Sequence, residues 1–186
     1  MQWLYVILGL LVVVLFWLVG LYNGLVGLRQ RVRNAWSQID VQLKRRFDLI
    51  PNLVETVKGY AAHEREVFER VTEARARVGQ AQTQGIAEQI QAQTALGGAL
   101  RGLLAVAENY PQLQASANFR ELQTELTNTE SKIAYSRQFY NDTVMKYLTT
   151  IERFPANMLA GMFGFGPMPY FQVEEEAARA PVQVKF

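Results

Sequence analysis

An all-α fold is predicted: an N-terminal transmembrane helix that runs on into an antiparallel bundle of long helices and ends in a Gly/Phe-rich tail. Three observations carry this. The first 28 residues hold no charge. Apolar residues then recur at steps of three and four through most of the chain, the spacing of one helix face. The connections between these periodic stretches are short, which joins neighbouring helices in opposite directions. The expected division is 1–28 anchor, 29–154 bundle and 155–186 tail.

From Trp3 to Tyr22 every residue is apolar, aromatic or glycine. At ~1.5 Å per residue such a helix is ~30 Å long, the thickness of a bilayer's hydrocarbon core. A cleaved signal peptide is not expected, because the n-region lacks basic residues and no small-residue cleavage site follows. The chain has no cysteine, so a lipid anchor on cysteine is excluded. No Lys or Arg precedes the span, whereas Arg29, Arg31, Arg33, Lys44, Arg45 and Arg46 follow it. Basic residues resist translocation, so a short external N-terminus and a cytoplasmic bundle are expected. Arg29, Arg31 and Arg33 either set topology alone or also attract anionic lipid headgroups. Gly20, Gly24 and Gly27 share one helix face at the membrane exit. Small residues at this spacing let helices approach closely in a bilayer, so this is the expected self-association face.

The first bundle helix carries Val32, Trp36, Ile39, Leu43, Phe47, Ile50, Val54, Val57 and Ala61 on one stripe, continuing more weakly through Phe68, Val71, Ala74 and Val78. Pro51 lies inside it without breaking its phase, so a kink in one long helix is expected there. Asp48, Asn52, Glu55 and Lys58 beside the kink form a solvated face, or Asp48 and Asn52 partner backbone groups that the proline frees, the favoured expectation being structural, or they present a binding surface. Arg137 and Asn141 on the last helix are candidates to meet them. Residues 79–85, glutamine-rich and bounded by glycines, read as a turn. The second helix directs Ile86, Ile90, Leu96, Leu100, Leu103 and Ala107 inward, and its Gly97, Gly98 and Gly102 weaken it unless they permit close contact. It ends before Pro111. The third starts at Asn118, with Glu121 completing a capping box. It buries Phe119, Leu122, Leu126, Ile133, Tyr140, Val144, Tyr147, Ile151 and Phe154, and Pro155 stops it. The tail interleaves Leu159, Met162, Phe163, Phe165, Met168, Tyr170 and Phe171 with glycine and proline. Folding back on its own bundle is the favoured expectation, with a neighbouring subunit, a partner or the membrane surface as the alternatives. Residues 182–186 alternate like a short strand.

Several motifs along this chain resemble, in order, the LemA family of bacterial membrane proteins. They are Tyr22-Asn-Gly-Leu-Val26, the run from Arg46 to Tyr60 with His63-Glu64, Glu108-Asn-Tyr-Pro111, Asn118-Phe119, Glu130-Ser-Lys-Ile133, Arg137-Gln-Phe-Tyr-Asn141, Phe154-Pro155, Ala160-Gly-Met-Phe-Gly-Phe165 and Tyr170-Phe171. The resemblance implies a membrane-anchored helical bundle at the inner membrane and no defined activity. It also implies an association with membrane metalloproteases and envelope quality control.

Reactive groups are sparse. There is one histidine and no phosphate-binding glycine loop. His63-Glu-Arg-Glu66 begins like a zinc-protease motif, but Val67 stands where the second histidine belongs, and His63 with Glu66 gives two ligands without a third. No catalytic residue, metal or cofactor is expected. A net charge of +2 gives no case for nucleic acid. The expected partners are the lipid bilayer and further copies of the chain in a homo-oligomer. The expected function is a non-enzymatic membrane scaffold or adaptor, the alternative being an auxiliary subunit of a membrane protease complex.

Overall fold

The computed structural model describes residues 2–172, and every structural statement below concerns these; the strand-like pattern at 182–186 lies outside them. The described residues form six helices and no strand: α1 (Gln2–Lys58), α2 (Arg65–Ala81), α3 (Ile86–Ala107), α4 (Pro111–Ala115), α5 (Ala117–Glu152) and α6 (Ala156–Met162). The fold is all-α with bundle-like packing, as the periodicity predicts. Helix α1 is continuous through Pro51. Its most apolar 18-residue window has a mean hydropathy of 2.9, and none of that window is buried. A core helix of a soluble domain would be covered by its own protein. This one is long and apolar enough to cross a membrane and is left bare.

Contacts among the described residues group into two units that cut across α1 and α5, one of residues 2–41 with 134–170 and one of residues 42–133 with 171–172. In the second unit five helices share a core. Ile50, Leu53 and Val57 of α1 meet Val67, Val71 and Val78 of α2, Leu96, Leu100 and Leu103 of α3, Leu113 of α4, and Phe119 and Leu126 of α5. Helices α2 and α3 pack against each other across a short turn as an antiparallel hairpin.

Three boundaries differ from expectation. The first long stripe is two helices, because α1 stops at Lys58 and α2 begins at Arg65. Between them Tyr60 N–H donates to the Val57 carbonyl and Glu64 N–H to the Ala61 carbonyl, tight turns that replace the regular ladder. Ala61 stays buried in the turn, so the apolar stripe hides the break. Helix α2 also runs through Gly79 to Ala81, which shortens the glutamine-rich turn. Helix α5 starts at Ala117, inside which Asn118 cannot cap. Ser116 holds the cap position instead, with an extended backbone (ψ 127°) and a carbonyl that accepts the Arg120 N–H. A short helix, α4, uses Pro111 at its first position, where the missing N–H costs nothing.

Gly98 and Gly102 do not bring helices close. A Cβ on either would meet nothing within 4 Å, and both line a groove of about 350 Å³ between α2 and α3. Gly97 lies beside the Arg46 guanidinium, 3.6 Å from where its Cβ would sit.

Arg46 is the one buried charge of the second unit's core region. Its Nη1 pairs with Glu130 Oε1 at 3.1 Å, and its Nη2 donates to the Gln93 carbonyl at 3.0 Å and to Gln93 Oε1 at 2.6 Å. The network ties α1, α3 and α5 together. The adjacent Arg45 pairs with Glu125, but its side chain is 49% exposed against 5% for Arg46. Exposed pairs contribute little, whereas removing one partner of a buried charge leaves the other stranded. Glu130→Ala should therefore cost about 2–3 kcal/mol, below the fully buried range because Glu130 itself is 44% exposed. Glu125→Ala should cost less than about 1 kcal/mol. Denaturant unfolding of the detergent-solubilised protein measures both, and equal losses would contradict the contrast.

Candidate functional site

The first unit gathers most of the residues that sequence reasoning singled out, around the end of the apolar run. Gly20, Gly24 and Gly27 are exposed, and a Cβ on any of them would meet nothing within 4 Å. With Trp17, Leu21, Leu28 and Arg31 they line a groove of about 600 Å³, closed on one side by Thr150 and Ala156. The expected glycine face is thus present and open, and the chain's own α5 and α6 build its wall.

The basic collar divides. Arg31 and Arg33 are exposed, while Arg29 is half-buried with its guanidinium 4.6 Å above the Phe165 ring. This stacking is a cation–π contact that ties the tail to α1. The neighbouring Tyr22 ring meets Phe163 at 4.9 Å and Phe165 at 5.8 Å, both edge-on. Gly164 makes this double contact possible. It has φ +67°, a left-handed conformation that residues with a Cβ adopt only under strain, and Phe165 N–H donates back to the Ala160 carbonyl at 2.9 Å.

Two tyrosines of α5 hold the rest of the tail. Tyr140 OH donates to the Pro169 carbonyl at 2.8 Å and Tyr147 OH to the Gly166 carbonyl at 2.9 Å. Trp36 packs edge-on against the Tyr140 ring. Burial raises the Tyr140 pKa to about 12. Burial also raises that of Tyr147, while the charges of Arg29 and Arg33 pull the other way. Sequence periodicity marks both rings as core. Their carbonyl partners, 29 and 19 residues onward, leave no local signal.

The tail as a whole splits. Ala156, Leu159, Ala160, Phe165 and Phe171 are buried, whereas Met158, Met162 and Phe163 are exposed. Phe154, expected inside at the end of the last helix, is 80% exposed. It falls beyond the end of α5 at Glu152, where the helical stripe no longer dictates its direction.

The remaining candidates do not line the glycine groove. Pro51, Asp48 and Asn52 are exposed together, and the Asn52 carbonyl accepts the Thr56 hydroxyl at 2.8 Å. Arg137 and Asn141 are half-buried on α5. His63 is exposed in the turn before α2, not on a helix, so the one-turn spacing to Glu66 does not apply; Glu66 faces Arg70 instead, at 3.7 Å. Glu64 accepts the Tyr110 hydroxyl at 3.3 Å. Among the described residues no group of three or more His, Cys, Asp or Glu is placed to hold a metal.

A bare apolar helix, a glycine groove at its foot and an aromatic tail clasped to it accompany a family match over residues 35–186. The chain belongs to the LemA family. It is 29% identical to magnetosome protein MamQ 2 of Paramagnetospirillum magneticum (strain AMB-1), across 87% of this chain and 68% of that protein. It is 26% identical, with the same coverage, to magnetosome protein MamQ of Magnetospirillum gryphiswaldense. Protein LemA of Metamycoplasma hominis is 25% identical across 84% of this chain and 71% of its own length. The LemA-family match begins at residue 35 and so covers the bundle and tail. The membrane association of the chain rests on α1, the one helix among the described residues long and apolar enough to cross a membrane.

A pH dependence follows from the tyrosine anchor. Unfolded tyrosine ionises near pH 10 and folded Tyr140 near 12, so its contribution is complete below pH 10 and is lost as pH rises towards 12. Tyr140→Phe should lower stability by about 1 kcal/mol at neutral pH through the lost hydrogen bond. It should also flatten the decline between pH 10 and 12, measured by thermal unfolding across that range. An unchanged alkaline profile would contradict the assignment.

Proposed function

We propose that this LemA-family protein is a membrane-anchored, non-enzymatic helical scaffold or adaptor that self-associates at the bacterial inner membrane. Residues 3–22 cross the bilayer once, with the N-terminus outside and the bundle in the cytoplasm. The distribution of basic residues supports that direction, since six follow the span within its first 24 residues and none precedes it. Arg31 and Arg33, exposed just past the span, face anionic headgroups.

The observation that carries self-association is the open glycine face. Three glycines at helical spacing leave a backbone surface that no side chain of the described residues fills. In a bilayer, where apolar side chains gain nothing by avoiding lipid, close backbone packing is what drives helices together. A second copy's helix entering the groove supplies that packing. The absence of a metal-binding cluster among the described residues and the scarcity of reactive groups in the sequence suit a presenting surface rather than a catalytic one.

The glycine face also allows a test, because a Cβ added at Gly20 or Gly24 meets nothing within 4 Å, and circular dichroism of the variant checks that the helices are retained. The double substitution Gly20→Leu and Gly24→Leu should shift the detergent-solubilised protein to a smaller mass by light scattering. An unchanged mass contradicts self-association through this face. Crosslinking in membranes separates a scaffold, which gives a homo-oligomer, from an auxiliary subunit, which gives a stoichiometric second protein.

A further inference from the structure

Helix α6 has apolar residues on both sides. Ala156, Leu159 and Ala160 face inward, while Met158 and Met162 are 60% and 76% exposed, flanked by the exposed rings of Phe154 and Phe163. Asn157 is its one polar side chain, and the methionine face is covered by none of the described residues, an apolar surface that water does not favour. Its surroundings in the chain are equally uncharged. Residues 154–172 contain no Asp, Glu, Lys or Arg, a stretch second in length only to the first 28 residues.

Its position decides what the bare face meets. Phe163, just past α6, stacks on Tyr22, the last residue of the apolar run. Ala156, its first residue, lines a groove that runs along α1 from Trp17 to Arg31. Helix α6 therefore lies alongside the part of α1 where the apolar run gives way to the first arginines. That is the depth at which a bilayer changes from acyl chain to headgroup, where aromatic side chains concentrate.

We propose that α6 with its flanking phenylalanines is a second membrane-contacting element, seated in the interfacial layer of the leaflet through which α1 leaves. Phe154, Met158, Met162 and Phe163 dip into the acyl boundary, and the uncharged backbone around them avoids the cost of carrying a charge there. The partner is the lipid surface itself. Held at two points, α1 has its rotation about the membrane normal restricted, which fixes the direction in which the glycine groove opens. This rests on the reading that residues 3–22 cross the bilayer.

The cysteine-free chain makes the test direct. Single cysteines at Met158, Met162, Val13 and Glu121 are labelled with an environment-sensitive dye, and the full chain is reconstituted into phosphatidylcholine/phosphatidylglycerol vesicles. Two spin-labelled lipids act as quenchers, one with the label near the top of the acyl chain for positions 158, 162 and 121, and one with the label near the end of the chain for position 13. The labels at 158 and 162 should emit at shorter wavelength than that at 121 and be quenched by the lipids, about twofold or more relative to it. The Val13 label, mid-span, reports insertion independently. Its quenching without quenching at 158 and 162 overturns this inference and leaves the span intact. A blue shift at 158 and 162 without lipid quenching shows a second copy covering the face and also overturns it. No quenching at Val13 overturns the span reading and this inference with it.

Discussion

A helix whose side chains are apolar and uncovered from its first turn to Trp17 is stable only where the solvent is hydrocarbon. The backbone satisfies this constraint by bonding entirely within α1, since unpaired N–H and C=O groups are costly in lipid. The side chains satisfy it by carrying no charge until Arg29. The residues at the end of the span answer the same constraint at its boundary. Tyr22 ends the apolar run, Arg31 and Arg33 stand exposed beyond it, and the tail brings Phe163 and Phe165 back to Tyr22 rather than out into water.

Past that boundary two kinds of interaction give each unit its shape. In the unit of residues 42–133 apolar residues of five helices make a common core, and the buried Arg46 ties α1, α3 and α5 through Glu130 and Gln93. A buried guanidinium is a demanding neighbour because it tolerates only arrangements that supply acceptors. In the unit of residues 1–41 and 134–170 the tail has little regular structure beyond α6. Its carbonyls at Gly166 and Pro169 are taken up by Tyr147 and Tyr140, side chains that are themselves core. The polar backbone of an otherwise apolar tail is thereby held in place without secondary structure.

Much of this was legible in the sequence, because hydrophobic period and charge placement are local signals. The apolar run, the stripes of α1, α3 and α5 and the stop before Pro111 all read correctly from spacing. The break at residues 59–64 did not, because Ala61 keeps the stripe's phase across the turn and no proline marks it. Ser116 was overlooked as a cap because Asn118 offered a stronger pattern two residues later. Phe154 read as core by extrapolating a helical stripe past the point where the helix ends. At the candidate site the glycine face and arginine collar were visible as spacing and composition. The contacts among Tyr22, Arg29, Phe163 and Phe165, and the two tyrosine–carbonyl bonds, pair residues far apart in the chain and are written in no local pattern. The burial of Arg46 beside the exposed Arg45 was equally invisible, since neighbouring residues on a helix face different directions.

The proposal that residues 3–22 cross the membrane once, with the bundle in the cytoplasm, is tested by single cysteines at Gln2 and at Arg101 in the cysteine-free chain, exposed to an impermeant maleimide in intact bacterial cells. The Gln2 variant should be labelled in intact cells and the Arg101 variant only after lysis. Labelling of the Arg101 variant in intact cells overturns the proposed topology.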